Sequence, residues 1–284
     1  MAAFSSRGPN GPIPQIMKPD ITGPGVDVIA GWTRLAGASV ATNDTRRVDY
    51  SIISGTSMSC PHLAGIAAYI MARRPEWSVA AIRSAIMTTA YTTTKGTANT
   101  LLDSSTSNAA TPFDYGNGHV DPVAALNPGL VYDISAKEYK EFICSVNKTQ
   151  AFMTEVTRSN FTCEGNKVYT PYALNYPSFG AYYNNSMTNG TYFARFPRTV
   201  TNVGGAGTYT ASLTVDDESI AEVSVNPDTL TFATSGEKKS FEVVVKMHPR
   251  QGNFTDAYLT SHGRLVWSDE THTVGSSLGF IWGN

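Results

Sequence analysis

The chain has 284 residues, enough for one or two domains with a sizeable core. Hydrophobic residues make up 41% and charged residues 15%, with a formal net charge of −2. That balance, without any Lys/Arg cluster, argues against a nucleic-acid or anionic-membrane surface, and no apolar run reaches the length of a membrane span.

Residues 4–32 begin as a loop, Phe4-Ser5-Ser6-Arg7-Gly8-Pro9-Asn10, punctuated by glycine and proline. Met1 leads into it with neither a charged segment nor an apolar core, so no export signal is expected in this chain. Val26, Val28 and Ala30 alternate into a short strand. Residues 33–47 are polar and read as a surface loop. Val48, Tyr50 and Ile52 then alternate as a second strand.

After a Gly55-Thr56 turn, Leu63, Ile66, Ala67, Ile70 and Met71 recur at three- and four-residue steps, which predicts a helix with one buried stripe. Arg73 and Arg74 suit its C-terminal end, and Pro75 stops it. Ser78 is the expected cap of a second helix carrying Ile82, Ala85 and Ile86. This strand–helix alternation points to an α/β region. A Ser/Thr/Asn-rich loop covers about 91–111, and residues 134–171 form a bridge with a short helix at 136–145.

From residue 172 the pattern turns to β, in short alternating runs: Tyr209/Ala211/Leu213/Val215, Val223/Val225, Phe241/Val243/Val245 and Leu265/Trp267. Turn residues separate them, which favours a small sandwich. Cys144 and Cys163 share the bridging segment, and their disulfide would close a loop of about 20 residues, worth roughly 3 kcal/mol. Cys60, on the predicted helix, reads as a small buried hydrophobe. Asn-X-Ser/Thr acceptors stand at Asn43, Asn147, Asn160, Asn184, Asn189 and Asn253, and suggest a secreted protein. No metal site or cofactor is expected.

Ser57 stands at the positive end of the first helix. A serine there is ordinarily a cap. The same position suits a nucleophile whose tetrahedral oxyanion is met by unpaired backbone N–H groups. The eleven residues Gly55-Thr56-Ser57-Met58-Ser59-Cys60-Pro61-His62-Leu63-Ala64-Gly65 resemble the nucleophile motif of the plant-type, cucumisin-like subtilases, a family of subtilisin-like serine proteases. Phe4–Asn10, Lys18–Trp32 and Phe113–Asp133 resemble further segments of the same family. Arg198–Gly204 resembles its C-terminal fibronectin type III-like domain. Gly23 stands where the family usually has alanine.

The resemblance implies an α/β region, an incomplete subtilisin-like parallel-sheet domain over 1–133, then the bridge over 134–171. An all-β fibronectin type III-like sandwich over 172–284 completes the expected order. It implies a secreted, cell-wall-type serine endopeptidase acting on polypeptides, with Ser57 as catalytic nucleophile. Thr56 would assist the oxyanion, Ser54 and Gly55 would flank the scissile bond, and Phe4 would wall a leaving-side subsite.

The family's base, its orienting aspartate and its oxyanion asparagine precede the serine, whereas His62, His119, His248, His262 and His272 all follow Ser57. His62 lies five residues on, roughly 140° around the helix and about 7.5 Å along it, so it reads as a buried structural histidine. Asp20, Asp27 and Asp49 read as turn or surface acids, and Asn10 does not carry the oxyanion role. The chain alone is therefore expected to be inactive, its partners being a peptide substrate and the missing N-terminal half of the catalytic domain. The competing reading is a non-catalytic pseudo-protease remnant that binds or regulates.

Overall fold

The computed structural model describes residues 1–39, 41–96, 99–147, 149–184, 190–249 and 258–283. Strands β1 (Val28–Gly31) and β2 (Tyr50–Ile53) form a two-stranded antiparallel sheet, with Val28 opposite Ile53 and Gly31 opposite Tyr50. This corrects the expected parallel sheet. The chain reverses direction between the two strands, which pair as antiparallel neighbours. Among the described residues neither strand has another ladder partner, and apolar Ile29, Tyr50 and Ile52 remain exposed.

Helix α1 (Thr56–Arg73) packs Leu63, Ile66, Ala67 and Ile70 against Ile82, Ile86, Val120 and Ala125. Of its residues only Ile70 is fully buried. Met71, expected in the stripe, is 54% exposed. It lies about 100° around from Ile70, outside the line that Leu63, Ile66 and Ala67 define. Cys60 and His62, both expected to be buried, are exposed, because they precede the Leu63–Ile70 stretch that packs on α2. Helix α2 (Val79–Thr88) is the buried one, and the Ser78 hydroxyl accepts from Ala81 N–H at its start.

The short helix α3 (Pro112–Tyr115) is held by a capping box between Thr111 and Asp114. Strand β3 (Leu130–Val131) precedes α4 (Ala136–Val146), itself boxed by Ser135 and Glu138, and α5 (Gln150–Thr157). Cys144 and Cys163 form a disulfide that ties α4 to the segment after α5.

The remaining strands are β4 (Phe179–Asn184), β5 (Tyr192–Asn202), β6 (Gly207–Val215), β7 (Ala221–Asn226), β8 (Thr229–Phe232), β9 (Lys238–Met247), β10 (Tyr258–Ser268) and β11 (Thr273–Gly283). Among the described residues they make a sheet of order β4-β11-β10-β6-β8 and another of order β3-β5-β9-β7. Only the β4–β11 ladder is parallel.

The two sheets share one core. Phe196, Val200, Val243 and Val245 from one meet Phe179, Leu265, Trp267 and Phe280 from the other. Alternation accounts for β9, where Phe241, Val243, Val245 and Met247 are buried in turn. Strand β11 is different, buried on both faces from Val274 to Gly283. Its outer face meets the first half of the chain: Ser277 Oγ donates to Gly116 O at 2.9 Å, and a methyl at Gly279 would come within 3.0 Å of Phe113 and Met17.

Candidate active site

Strand β2 ends at Ile53, and Ser54-Gly55 turns the chain into α1. Gly55 N–H donates to Gly25 O at 2.8 Å, and Ser59 Oγ donates to Gly23 O at 2.9 Å, so the 23–25 loop is stitched beneath the turn. A Cβ on Gly25 would lie 2.3 Å from Ser59 Oγ and 2.8 Å from Gly55 O, hence the glycine. Asp27 N–H donates to Ser54 Oγ at 2.8 Å, and Ser54 Oγ donates back to an Asp27 carboxylate oxygen at 3.2 Å.

Gly55 is the N-cap, in extended conformation, and no side chain caps the helix. Ser57 is the second helical residue rather than the cap, and it is exposed. Among the described residues its hydroxyl has no hydrogen-bond partner. The first turn thus combines free backbone donors and a free hydroxyl at the positive end of the helix dipole.

Among the described residues no histidine or carboxylate is hydrogen-bonded to that hydroxyl. His62 Nδ1 is 2.7 Å from Met58 O, a local bond to the preceding helical turn. His119 forms bridges with Thr22 and Tyr91, and its ring packs 5.0 Å from that of Tyr91. Burial, helped by the Lys95 charge and opposed by a hydrogen bond to Val120 O, holds its pKa below the ordinary histidine value. The nearby acids are likewise engaged: Asp20 with Lys18 and Tyr176, and Asp49 with Arg34. Asn10 donates to Ile13 O within its own loop.

A groove of about 900 Å³ runs beside α1, lined by Phe4, Gly23, Val26, Thr56, Cys60 and Leu63 among others. Phe4 and Thr56 therefore share one surface, with Phe4 53% exposed on it. Ser54, Gly55 and Ser57 do not line it. Sequence reasoning missed Ser59, and it read Asp27 as a turn or surface acid without its partner Ser54; both brace the turn. Ser59 lies inside the quoted motif, but its partner is a carbonyl 36 positions earlier, which local pattern does not reveal.

Of the glycan acceptors, Asn43 and Asn160 are exposed, while Asn147 and Asn184 are half-buried; Asn189 and Asn253 lie outside the described residues. Among the described residues no group of His, Cys, Asp or Glu has the arrangement of a metal site, and no helix is long and apolar enough to cross a membrane.

A tight strand-to-helix turn in one region and a two-sheet β region beyond it define a modular protein of two unlike parts. Residues 1–118 match the Subtilase family and residues 173–279 a Fibronectin type-III domain. The chain is 45% identical over 282 residues to subtilisin-like protease SBT1.7 of Arabidopsis thaliana, covering 99% of this chain and 36% of that protein. It is 43% identical over 279 residues to subtilisin-like protease SBT4.13 and 43% over 278 residues to SBT5.3 of the same plant, covering 98% of this chain and 36% and 34% of theirs. Over residues 1–118 the chain is a match to the Subtilase family, and as a whole it spans about a third of the length of these relatives.

Proposed function

We propose that this chain is the nucleophile-bearing C-terminal part of a secreted serine endopeptidase, with Ser57 attacking the scissile carbonyl. The observation that carries this reading is the exposed, unpartnered Ser57 hydroxyl in an uncapped helical first turn. In that role the Ser57 backbone N–H, with Thr56, meets the oxyanion. Ser54 and Gly55 run alongside the scissile bond, and Phe4 walls the leaving-side subsite. Gly25, Ser59 and Asp27 hold the turn in place through the bonds already described.

The proton-accepting base, its orienting acid and the asparagine donor belong to the preceding part of the catalytic domain. The exposed apolar residues Ile29, Tyr50, Ile52, Tyr69 and Met71 suit its docking. Without that part, triad hydrolysis is lost and the chain is inactive. Domain limits of 1–133, 134–171 and 172–284 go with this reading, with Leu130 and Tyr132 of the first part reaching into the core of the last, as do glycans on several of the six asparagines. Exposed Asn43 and Asn160 are the first candidates, checked by the mass shift on glycosidase treatment of secreted material.

A fluorophosphonate probe tests the nucleophile. The isolated chain should stay unlabelled, label at Ser57 once the missing catalytic portion is docked, and lose that label in Ser57→Ala. Labelling of the isolated chain at the rate of an intact subtilase would overturn the incomplete-site argument. Absence of labelling with the partner portion docked would favour the non-catalytic reading.

A further inference from the structure

A second cleft, of about 290 Å³, lies on the far side of α3, between that helix and strands β6 and β10. Thr92, Tyr115, Thr214, Asp216, His262 and Arg264 contribute to its lining. Arg264 supplies its guanidinium, and the Asp216 carboxylate in the same wall is paired with His262. Nη1 donates to Asn117 O at 3.0 Å and Nη2 to Ala90 O at 3.3 Å, so the guanidinium reaches from β10 across to the first half of the chain. Its plane rests on bare backbone at Gly275, where a Cβ would come within 2.1 Å of Nη2.

Two of the five guanidinium donors are thereby engaged by neutral carbonyls. Among the described residues no carboxylate is within ion-pair distance of Arg264. The nearby acids are saturated elsewhere. Asp216 binds Ser261 Oγ, His262 N–H at 3.1 Å and His262 Nδ1 at 3.1 Å, and Asp114 binds Arg7 and Thr111. Burial pulls the Arg264 pKa below the ordinary arginine value, opposed only by Tyr115.

Arg198 supplies the contrast. It too is a buried guanidinium without a carboxylate among the described residues, but four carbonyls engage all three of its nitrogens. Arg264 has half as many contacts and opens onto a cleft that also presents the Tyr115 ring and the Thr92 and Thr214 residues. An unpaired, preoriented guanidinium in a partly desolvated cleft is a receptor for a planar oxyanion, because the fork geometry matches a carboxylate. The volume suits a molecule of a few heavy atoms rather than a peptide.

We propose that this cleft is a binding site for a small organic carboxylate, held on the free edge of Arg264 with Tyr115 and Thr214 beside it. It is separate from the groove at α1 and does not depend on Ser57 being a nucleophile.

Acetate, followed by saturation-transfer NMR on the full 284-residue chain at constant ionic strength, tests it, with sulfate in a parallel titration. Saturable acetate binding at one site is expected. It should weaken at least about tenfold in Arg264→Gln and about threefold in Tyr115→Phe, with sulfate competing poorly. Circular dichroism checks that each variant is folded; if Arg264→Gln is not, Tyr115→Phe and Thr214→Val decide. Non-saturable binding in the parent chain would overturn the proposal. So would unchanged affinity in a folded Arg264→Gln, or in both Tyr115→Phe and Thr214→Val.

Discussion

Arg198 stands on the inward face of β5, between buried Phe196 and Val200, where strand alternation calls for an apolar side chain. Its Nε donates to Tyr176 O, Nη1 to Tyr172 O and Pro197 O, and Nη2 to Ser178 O, over distances of 2.7–3.3 Å. The rings of Phe179 and Phe196 lie 4.9 and 5.4 Å from its guanidinium carbon. The residue pins the 172–178 segment onto the sheet, and Arg198→Met should cost about 3 kcal/mol or more in urea unfolding, since it strands several carbonyls. Buried phenols add a pH dependence. Burial pushes Tyr132 up to about 12, against a hydrogen bond with Ser276 and the charge of Arg198, and burial raises Tyr172, Tyr176 and Tyr209 as well. An unfolded tyrosine loses its proton near pH 10, so above that pH these phenols keep protons in the folded chain that they have lost in the unfolded one. Stability is therefore full below about pH 10 and falls as pH rises toward the folded values. Urea midpoints should drop above pH 10 while absorbance at 295 nm shows these phenols ionising only on unfolding, and Tyr132→Phe should lose part of the drop.

At the scale of elements, legibility followed periodicity. Helix α1 was readable because Leu63, Ile66, Ala67 and Ile70 keep to one line, and α2 because Ser78 caps it. The error at Met71 came from treating every apolar residue at a permitted spacing as equally inward. Ile70→Ala should therefore cost about 2–4 kcal/mol and Met71→Ala less than about 0.5 kcal/mol, measured side by side in urea. Equal costs would mean that the helix is rotated from the position described. Strands β9 and β10 alternate and were legible. Strand β11 was not, because Val274-Gly275-Ser276-Ser277-Leu278-Gly279-Phe280 has no polar face to alternate with; both sides are covered, and its glycines and serines are there for close packing. The Ser57 turn was legible as a motif, but its bracing by Gly25, Asp27 and Ser59 is a matter of contacts between distant segments.

For the whole molecule, the expectation was a β region beginning near residue 172. The structure draws its core from further back. Leu130 and Tyr132, both 0% exposed, belong to the same core as Phe196 and Trp267, and β3 pairs Leu130 with Asn202 and Val131 with Thr201. Just upstream, Gly129 O accepts from Val203 N–H at 2.9 Å, and the Asn127 amide lies 2.9 Å from His272 Nε2, on the β10–β11 turn. Gly129 itself has φ of 76°, and a methyl there would strike His272 and Tyr209, so this crossing is built for close approach. No sequence pattern announces a two-residue strand, which is why the boundary was drawn after it. A chain cut at 172 loses an edge strand and leaves a cavity where Leu130 and Tyr132 sat. Buried residues of that size each contribute about 2–5 kcal/mol. A 127–284 fragment should therefore unfold cooperatively in urea, followed by the fluorescence of buried Trp267 and Trp282, while 172–284 should be less stable by about 4 kcal/mol or more. Equal midpoints with equal slopes would show that residues 127–133 lie against the β region without stabilising it, and would return the boundary to residue 172.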